Sequence, residues 1–144
     1  MRRILHALAL ITLAGGAWYL YDPPWVAGVT SGLRDWEEDP PGARFRWTNG
    51  HASFYIPSDV GELTLPMRAV FASSDGKPVR VALSVDGRWL TNIDLLNPAE
   101  WTYPRVPLPR RTSRRRYRRI DVRVSRVTGF YNLGVELGEA QFPQ

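Results

Sequence analysis

Residues 43–57 read Ala-Arg-Phe-Arg-Trp-Thr-Asn-Gly-His-Ala-Ser-Phe-Tyr-Ile-Pro. Phe45 and Trp47 alternate with Arg44 and Arg46, and Ala52, Phe54 and Ile56 continue the alternation beyond them. A period of two is the mark of a strand with one buried face. Between the two runs stands Asn49-Gly50, a dipeptide suited to a type I′ turn. The stretch therefore predicts a hairpin whose return strand ends at Pro57. Phe45, Trp47 and Phe54 fall on inward phases and are expected in the core.

The same period recurs down the chain. Residues 57–61, PSDVG, carry turn chemistry, and Leu63, Leu65, Met67, Ala69 and Phe71 make the next alternating run. Pro66 inside that run marks an edge or a bulge. After a turn at 73–78, Val79, Val81, Leu83 and Val85 alternate with polar or small residues. Asp86-Gly87 is a second hairpin signal before Trp89 to Leu95. Residues 101–108 form a strand interrupted by Pro104 and Pro107, which suits an edge or covering segment. Ile120, Val122 and Val124 face one way on a further strand, and Leu133, Val135 and Leu137 close the series. About eight short strands separated by turn signals predict an all-β, two-sheet sandwich. A jelly-roll-like topology fits the strand number and the long connections near residues 57, 97 and 127, with an immunoglobulin-like sandwich as the alternative.

Upstream lies a different kind of segment. Residues 4–21, ILHALALITLAGGAWYLY, contain no acidic, lysine or arginine side chain and follow Arg2 and Arg3. A helix of that length spans about 27 Å, close to the roughly 30 Å of bilayer hydrocarbon. The basic pair predicts a cytoplasmic N-terminus, which sends the rest of the chain to the periplasmic side of a bacterial inner membrane. Trp18, Tyr19 and Trp25 suit an interfacial aromatic belt, and Gly15 and Gly16 a close-packing helix face. A cleaved signal peptide is the competing reading, with Ile4 to Leu13 as its apolar core and Ala14 to Ala17 as its small residues. His6 reads as interfacial rather than as a metal or haem ligand. Residues 22–42 form an arm bounded by Pro23–Pro24 and Pro40–Pro41, in which Val26, Val29, Leu33 and Trp36 recur at helical spacing. The expected organisation is an anchor at 1–21, the arm at 22–42 and the sandwich at 43–144.

Composition narrows the chemistry. There is no cysteine, which excludes disulfides and thiolate sites. Outside the anchor His51 is the single histidine, so neither a metal site nor a bound cofactor is expected. Ser53 lies near His51, yet no nucleophile elbow is present, and no catalytic residue is assigned. A carboxylate-based hydrolase would need only two acids, but Asp59, Asp75 and Asp86 sit in turns where local hydrogen bonding accounts for them.

The net charge of +5 hides a division: residues 105–126 hold ten arginines against the single acid Asp121. Arg110, Arg111, Arg114, Arg115, Arg116 and Arg118 are the candidate contacts for a protein partner or for anionic lipid headgroups. Trp36, beside the acids Asp35 and Glu37 to Asp39, joins them as a partner contact. The segment's expected place outside the cytoplasm excludes nucleic acid. Its bland alternative is a solvated loop. Trp89, Trp101 and Tyr103 read first as core or subunit contacts, and are the candidates for stacking against sugar rings if they form one exposed row.

The succession FRWTNGHASFYIP, VALSVDGRWL, RRYRRIDVRVSR and NLGVELGEAQF resembles small β-sandwich domains of bacterial membrane-anchored envelope proteins, over residues 44–142. Carbohydrate-binding-like sandwiches are similar in outline. A single span bearing such a domain also resembles, in architecture, the accessory subunits of large membrane complexes, bacterial photosynthetic reaction-centre assemblies among them. The resemblance implies a non-enzymatic structural subunit docking on an integral membrane complex. An envelope glycan-binding module is the alternative, and the carboxylate-based hydrolase a weaker one.

Overall fold

The computed structural model describes residues 2–39, 42–71 and 76–143. The proline pair 40–41 and the first part of the 73–78 turn, Asp75 included, lie outside the described residues, as does the side chain of Arg2. The fold is mostly β, preceded by one helix. Helix α1 runs over Arg2–Tyr21 with its apolar side chains exposed. It is the one described segment long and apolar enough to cross a membrane.

The arm does not form the expected helix. Pro24–Gly28 is a 3-10 turn, and strands β1 (Ser31–Leu33) and β2 (Glu37–Asp39) follow. Gly32 adopts φ +65°, and a Cβ there would run into the His51 carbonyl, so extended pairing takes the place of helical spacing. Both strands pair antiparallel with β3, the strand Ala43–Pro57.

Strand β3 corrects the hairpin reading. It runs as one 15-residue strand straight through Asn49-Gly50. Phe45 and Trp47 are odd-numbered whereas Ala52, Phe54 and Ile56 are even, so the inward phase slips by one residue between them. A bulge absorbs the slip: Gly50 takes φ +95°, and Ser31 and Leu33 of β1 face Ser53 and Thr48 across an irregular register. A hairpin turn and a bulge both need a glycine at positive φ, which is why the dipeptide was compatible with either.

The two halves of β3 have different partners. Phe45–Trp47 pair with β10 (Glu136–Gly138), which also pairs with β5 (Met67–Arg68). His51–Pro57 pair with β9 (Tyr117–Val124), followed by β6 (Val79–Val85) and β7 (Arg88–Leu95). Strands β4 (Glu62–Thr64) and β8 (Arg105–Pro107) form a separate two-stranded sheet. The expected run Leu63–Phe71 thus breaks at Pro66 into β4 and β5, which serve different sheets. The expected strand 101–108 shrinks to three residues between prolines. Among the described residues ten strands, in one eight-stranded and one two-stranded sheet, replace the eight anticipated.

The buried core joins the layers. Leu63, Leu65, Met67 and Val106 pack in one cluster with Ile56, Val81, Leu83, Ile120 and Val122, each at most 4% exposed. Asp86-Gly87 makes the expected two-residue hairpin turn, with both residues at positive φ and Val85 facing Arg88. Of the residues expected inside, Phe45 is buried, whereas Trp47 and Phe54 are only partly so. Trp47 stacks on Phe71 at 5.9 Å instead.

Candidate functional site

Strands β3 and β9 are antiparallel with Pro57 facing Tyr117, so the residues before β9 lie where β3 ends. There the arginine segment meets the exit of α1. Asp22 is 4% exposed and accepts hydrogen bonds from the Arg116 backbone N–H and Nε, both at 2.9 Å. The Arg116 guanidinium also donates to the Asp22 carbonyl at 2.7 Å. The Arg115 guanidinium lies 4.7 Å over the Tyr21 ring. The Ser58 N–H donates to the Arg116 carbonyl, tying the end of β3 to the same place.

The six candidate arginines therefore have separate fates. Arg110, Arg111 and Arg114 are exposed, and Arg115 stacks on Tyr21. Arg116 is committed to Asp22, while Arg118 is buried and donates to the Pro109 carbonyl at 2.8 Å. Beside them a cavity of about 490 Å³ opens between Tyr21, Arg111, Arg115, Arg118 and Arg119. Arg119, the end of the same basic run but not among the six candidate contacts, belongs to it too; its guanidinium also binds Asp121 at 3.0 Å.

Trp36 is taken up within the chain. Arg46 and Arg44, two apart on β3 and so on one face, lie 4.1 and 4.9 Å over its ring. Burial lowers the pKa of Arg46, and the nearby Arg44 charge adds to the effect. Along α1, no atom stands within 4 Å of a Cβ built on Gly15 or Gly16, which leaves that helix face open. Trp18, Tyr19 and Trp25 are exposed.

The three stacking candidates separate. Trp89 is exposed on β7, where its indole N–H donates to Asn92 at 3.3 Å. Trp101 and Tyr103 lie together elsewhere. They line a groove of about 230 Å³ with Arg44, Pro66, Glu139 and Gln141. Ala43, the first residue of β3, borders it, so the groove and the α1 joint belong to opposite ends of one strand.

The groove is firmly built. The Arg68 guanidinium lies 4.7 Å over the Trp101 ring, and Phe45 meets Trp101 edge-on at 6.4 Å. Arg68 is held in turn by Asp39 at 2.6 Å and by the buried Glu136. Burial pushes the Glu136 carboxyl above its ordinary value, and the opposing hydrogen bond and charge of Arg68 do not offset it. Tyr103, by contrast, is 59% exposed. On the rim Arg44 donates to Glu139 at 3.1 Å. An aromatic face beside a carboxylate, an amide and a guanidinium can stack on the apolar side of a sugar ring and hydrogen-bond its hydroxyls. Sequence reasoning missed Arg44, Glu139 and Gln141 because strand pairing, not spacing, brings them beside Trp101.

His51 Nε2 stands 3.5 Å from Asp121, on paired strands, with the Asp121 carboxylate also bound by Arg119. Asp39 and Glu136 converge on Arg68, and neither lines the groove, whose described lining holds one carboxylate, Glu139.

No family model and no curated protein matches the sequence. Among solved structures, the chain is similar to the C-terminal family 6 carbohydrate-binding module of the Zobellia galactanivorans laminarinase LamC. The identity is 11% and the TM-score 0.47, over 81% of this chain and 91% of that one. A family 61 carbohydrate-binding module in complex with β-1,4-galactotriose is 14% identical, with a TM-score of 0.49 over 81% and 87% of the two chains. A Clostridium cellulolyticum family 6 module in complex with xylose is 11% identical, with a TM-score of 0.46 over 80% and 89%.

Proposed function

We propose that the chain is a membrane-tethered, non-catalytic glycan-binding module of the bacterial cell envelope, facing the periplasm. One observation carries this reading: Trp101 and Tyr103 line a single groove with Glu139, Gln141 and Arg44. Arg68 and Phe45 hold the Trp101 ring in place, so it is pre-organised for stacking. Trp89 stands apart, on β7, so the aromatics make a short cleft and not a long platform. The cleft suits a short stretch of a soluble or amorphous chain, not a flat crystalline surface. Among the described residues the lining holds one carboxylate, Glu139, which is suited to hydrogen bonding, where glycoside hydrolysis uses two acids. Helix α1 supplies the tether, by its length and composition.

The test is retention of the full chain, in mild detergent, on immobilised xylan, β-glucan, galactan and peptidoglycan. Wild type should be retained on at least one of them, and Tyr103→Ala should lose that retention while unfolding at the same temperature. A wild-type chain that passes through every matrix overturns the reading.

A second reading, the accessory subunit of a membrane complex, is favoured by a different observation. The Asp22–Arg116 contact fixes the angle between helix and sandwich, as docking on a rigid partner requires. A stoichiometric integral membrane partner co-purifying with the native chain would select it; a lone monomer would reject it.

A further inference from the structure

We infer that the arginine-lined cavity at the foot of α1 is a binding site for the phosphate of an anionic phospholipid headgroup. The inference rests on the tether part of the reading above and is independent of the glycan groove. The cavity, of about 490 Å³, is lined by four arginines, Arg111, Arg115, Arg118 and Arg119, against one acidic residue, Asp86; the Arg119 guanidinium is shared with Asp121. Arg118 is the telling member. It is 5% exposed, yet its buried Nε makes no hydrogen bond. The nearest acid, Asp86, is 3.6 Å away, too far for one, and Nη1 is occupied by the Pro109 carbonyl. A buried guanidinium whose nearest counter-charge stands at 3.6 Å is costly, and an anion in the adjoining cavity would offset its charge.

The other groups complete a phosphate's needs. Among the described residues Arg111 donates to the Ser58 hydroxyl, at a long 3.5 Å, a contact weak enough for an anion to displace. Ser113 also lines the cavity, where its hydroxyl accepts the Arg115 N–H at 3.2 Å and bonds the Tyr21 side chain, which orders this wall. Planar guanidinium forks match phosphate oxygens bidentately, which suits arginine better than lysine here.

Tyr21 identifies the source of the phosphate. It is the last residue of α1 and also part of the cavity wall. A helix that crosses the bilayer and ends at this wall puts the opening at headgroup depth, where interfacial tyrosines sit. The excess positive charge then faces an anionic leaflet surface.

The full chain is placed in nanodiscs of phosphatidylcholine with a minor fraction of phosphatidylglycerol. Native mass spectrometry counts the lipids that it carries out of them. Wild type should retain one phosphatidylglycerol in preference to phosphatidylcholine. The exposed pair Arg111→Ser and Arg115→Ser should reduce that preference about tenfold or more, since each arginine near the headgroups contributes on the order of one decade or slightly less. Arg123→Ser, on an exposed position of β9 outside the cavity, should leave the preference unchanged. Equal retention of both lipids, or an unchanged preference in the double variant, overturns the site. Loss of the bound lipid to millimolar inorganic phosphate would overturn the lipid as its source. A chain that elutes apart from the discs overturns the tether, and this site with it.

Discussion

Asp22 and Arg116, 94 positions apart, share three hydrogen bonds at the point where the apolar helix meets the β-sheet. The carboxylate takes both the backbone N–H and the side chain of one residue, which fixes the arginine segment in position as well as in charge. Two stretches that look unrelated in the sequence, an apolar helix with an acidic exit and a basic run, are the two halves of one joint.

Removing the carboxylate should loosen that joint. In Asp22→Ala the Arg116 backbone N–H and Nε lose their acceptor, and the guanidinium keeps only its bond to the backbone carbonyl of residue 22. Trypsin should then cut after Arg114, Arg115 or Arg116 faster than in wild type, with the rest of the sandwich remaining resistant. Spin labels on α1 and β9 should show a broadened distance distribution. An unchanged cleavage rate would mean that the joint is held by other contacts, of which Arg115 on Tyr21 is the first to examine.

The bulge in β3 is equally open to test. Gly50 has φ +95°, and a Cβ there would approach Val127 Cγ1 to 2.9 Å. Gly50→Ala should therefore cost about 1–3 kcal/mol, through strain and crowding together, and lower the urea midpoint at an unchanged slope. Had Asn49-Gly50 been a solvent-facing turn, the cost would come from backbone strain alone.

Thr48 supports the same bend from inside. It is fully buried; its hydroxyl accepts the Val135 N–H at 2.9 Å, and its own N–H donates to the Val135 carbonyl. Thr48→Val keeps the volume but leaves the Val135 N–H buried without an acceptor. A loss of about 1–3 kcal/mol by urea unfolding is expected, and a neutral result would mean that water reaches that amide.

Periodicity made most strands legible because it reports burial directly. The alternation at Val79–Val85 and the buried Leu63, Leu65 and Met67 are where the pattern places them. What periodicity cannot report is which strand lies next to which. Glu139 meets Arg44 because β10 pairs with the start of β3, and Arg68 reaches Trp101 because its neighbour Met67 bridges to Thr102. The groove is thus a product of pairing, and composition marked its aromatics without their polar partners. Arg118 is indistinguishable in the sequence from its exposed neighbours for the same reason: a charge run has no inside until a sheet supplies one.

Within the groove, the two aromatics should respond differently. Tyr103 is 59% exposed, so Tyr103→Ala should change stability by no more than about 0.5 kcal/mol while abolishing glycan retention. Trp101 carries Arg68 on its face and Phe45 at its edge, so Trp101→Ala should lower both stability and retention. Equal destabilisation by the two substitutions would show that Tyr103 is structural and would weaken the case for the groove as a site.

The Arg68 cluster gives the molecule a pH signature. Burial raises the Glu136 carboxyl above its value in the unfolded chain, so the folded state holds that proton more tightly. Stability linked to Glu136 is therefore fully present below the unfolded carboxylate value, and it declines as pH rises from there through the folded one. Asp94 works the other way. The Arg80 hydrogen bond lowers its pKa, so its contribution is present above the unfolded value and is lost as pH falls through the folded one. In Glu136→Gln the decline on the neutral side should vanish while the acid-side loss remains. Thermal unfolding of wild type and variant between mildly acidic and neutral pH isolates the Glu136 decline, because the Asp94 loss lies at more acid pH. If the two curves run parallel over that range, Arg68 holds Glu136 ionised throughout, and burial does not govern its proton.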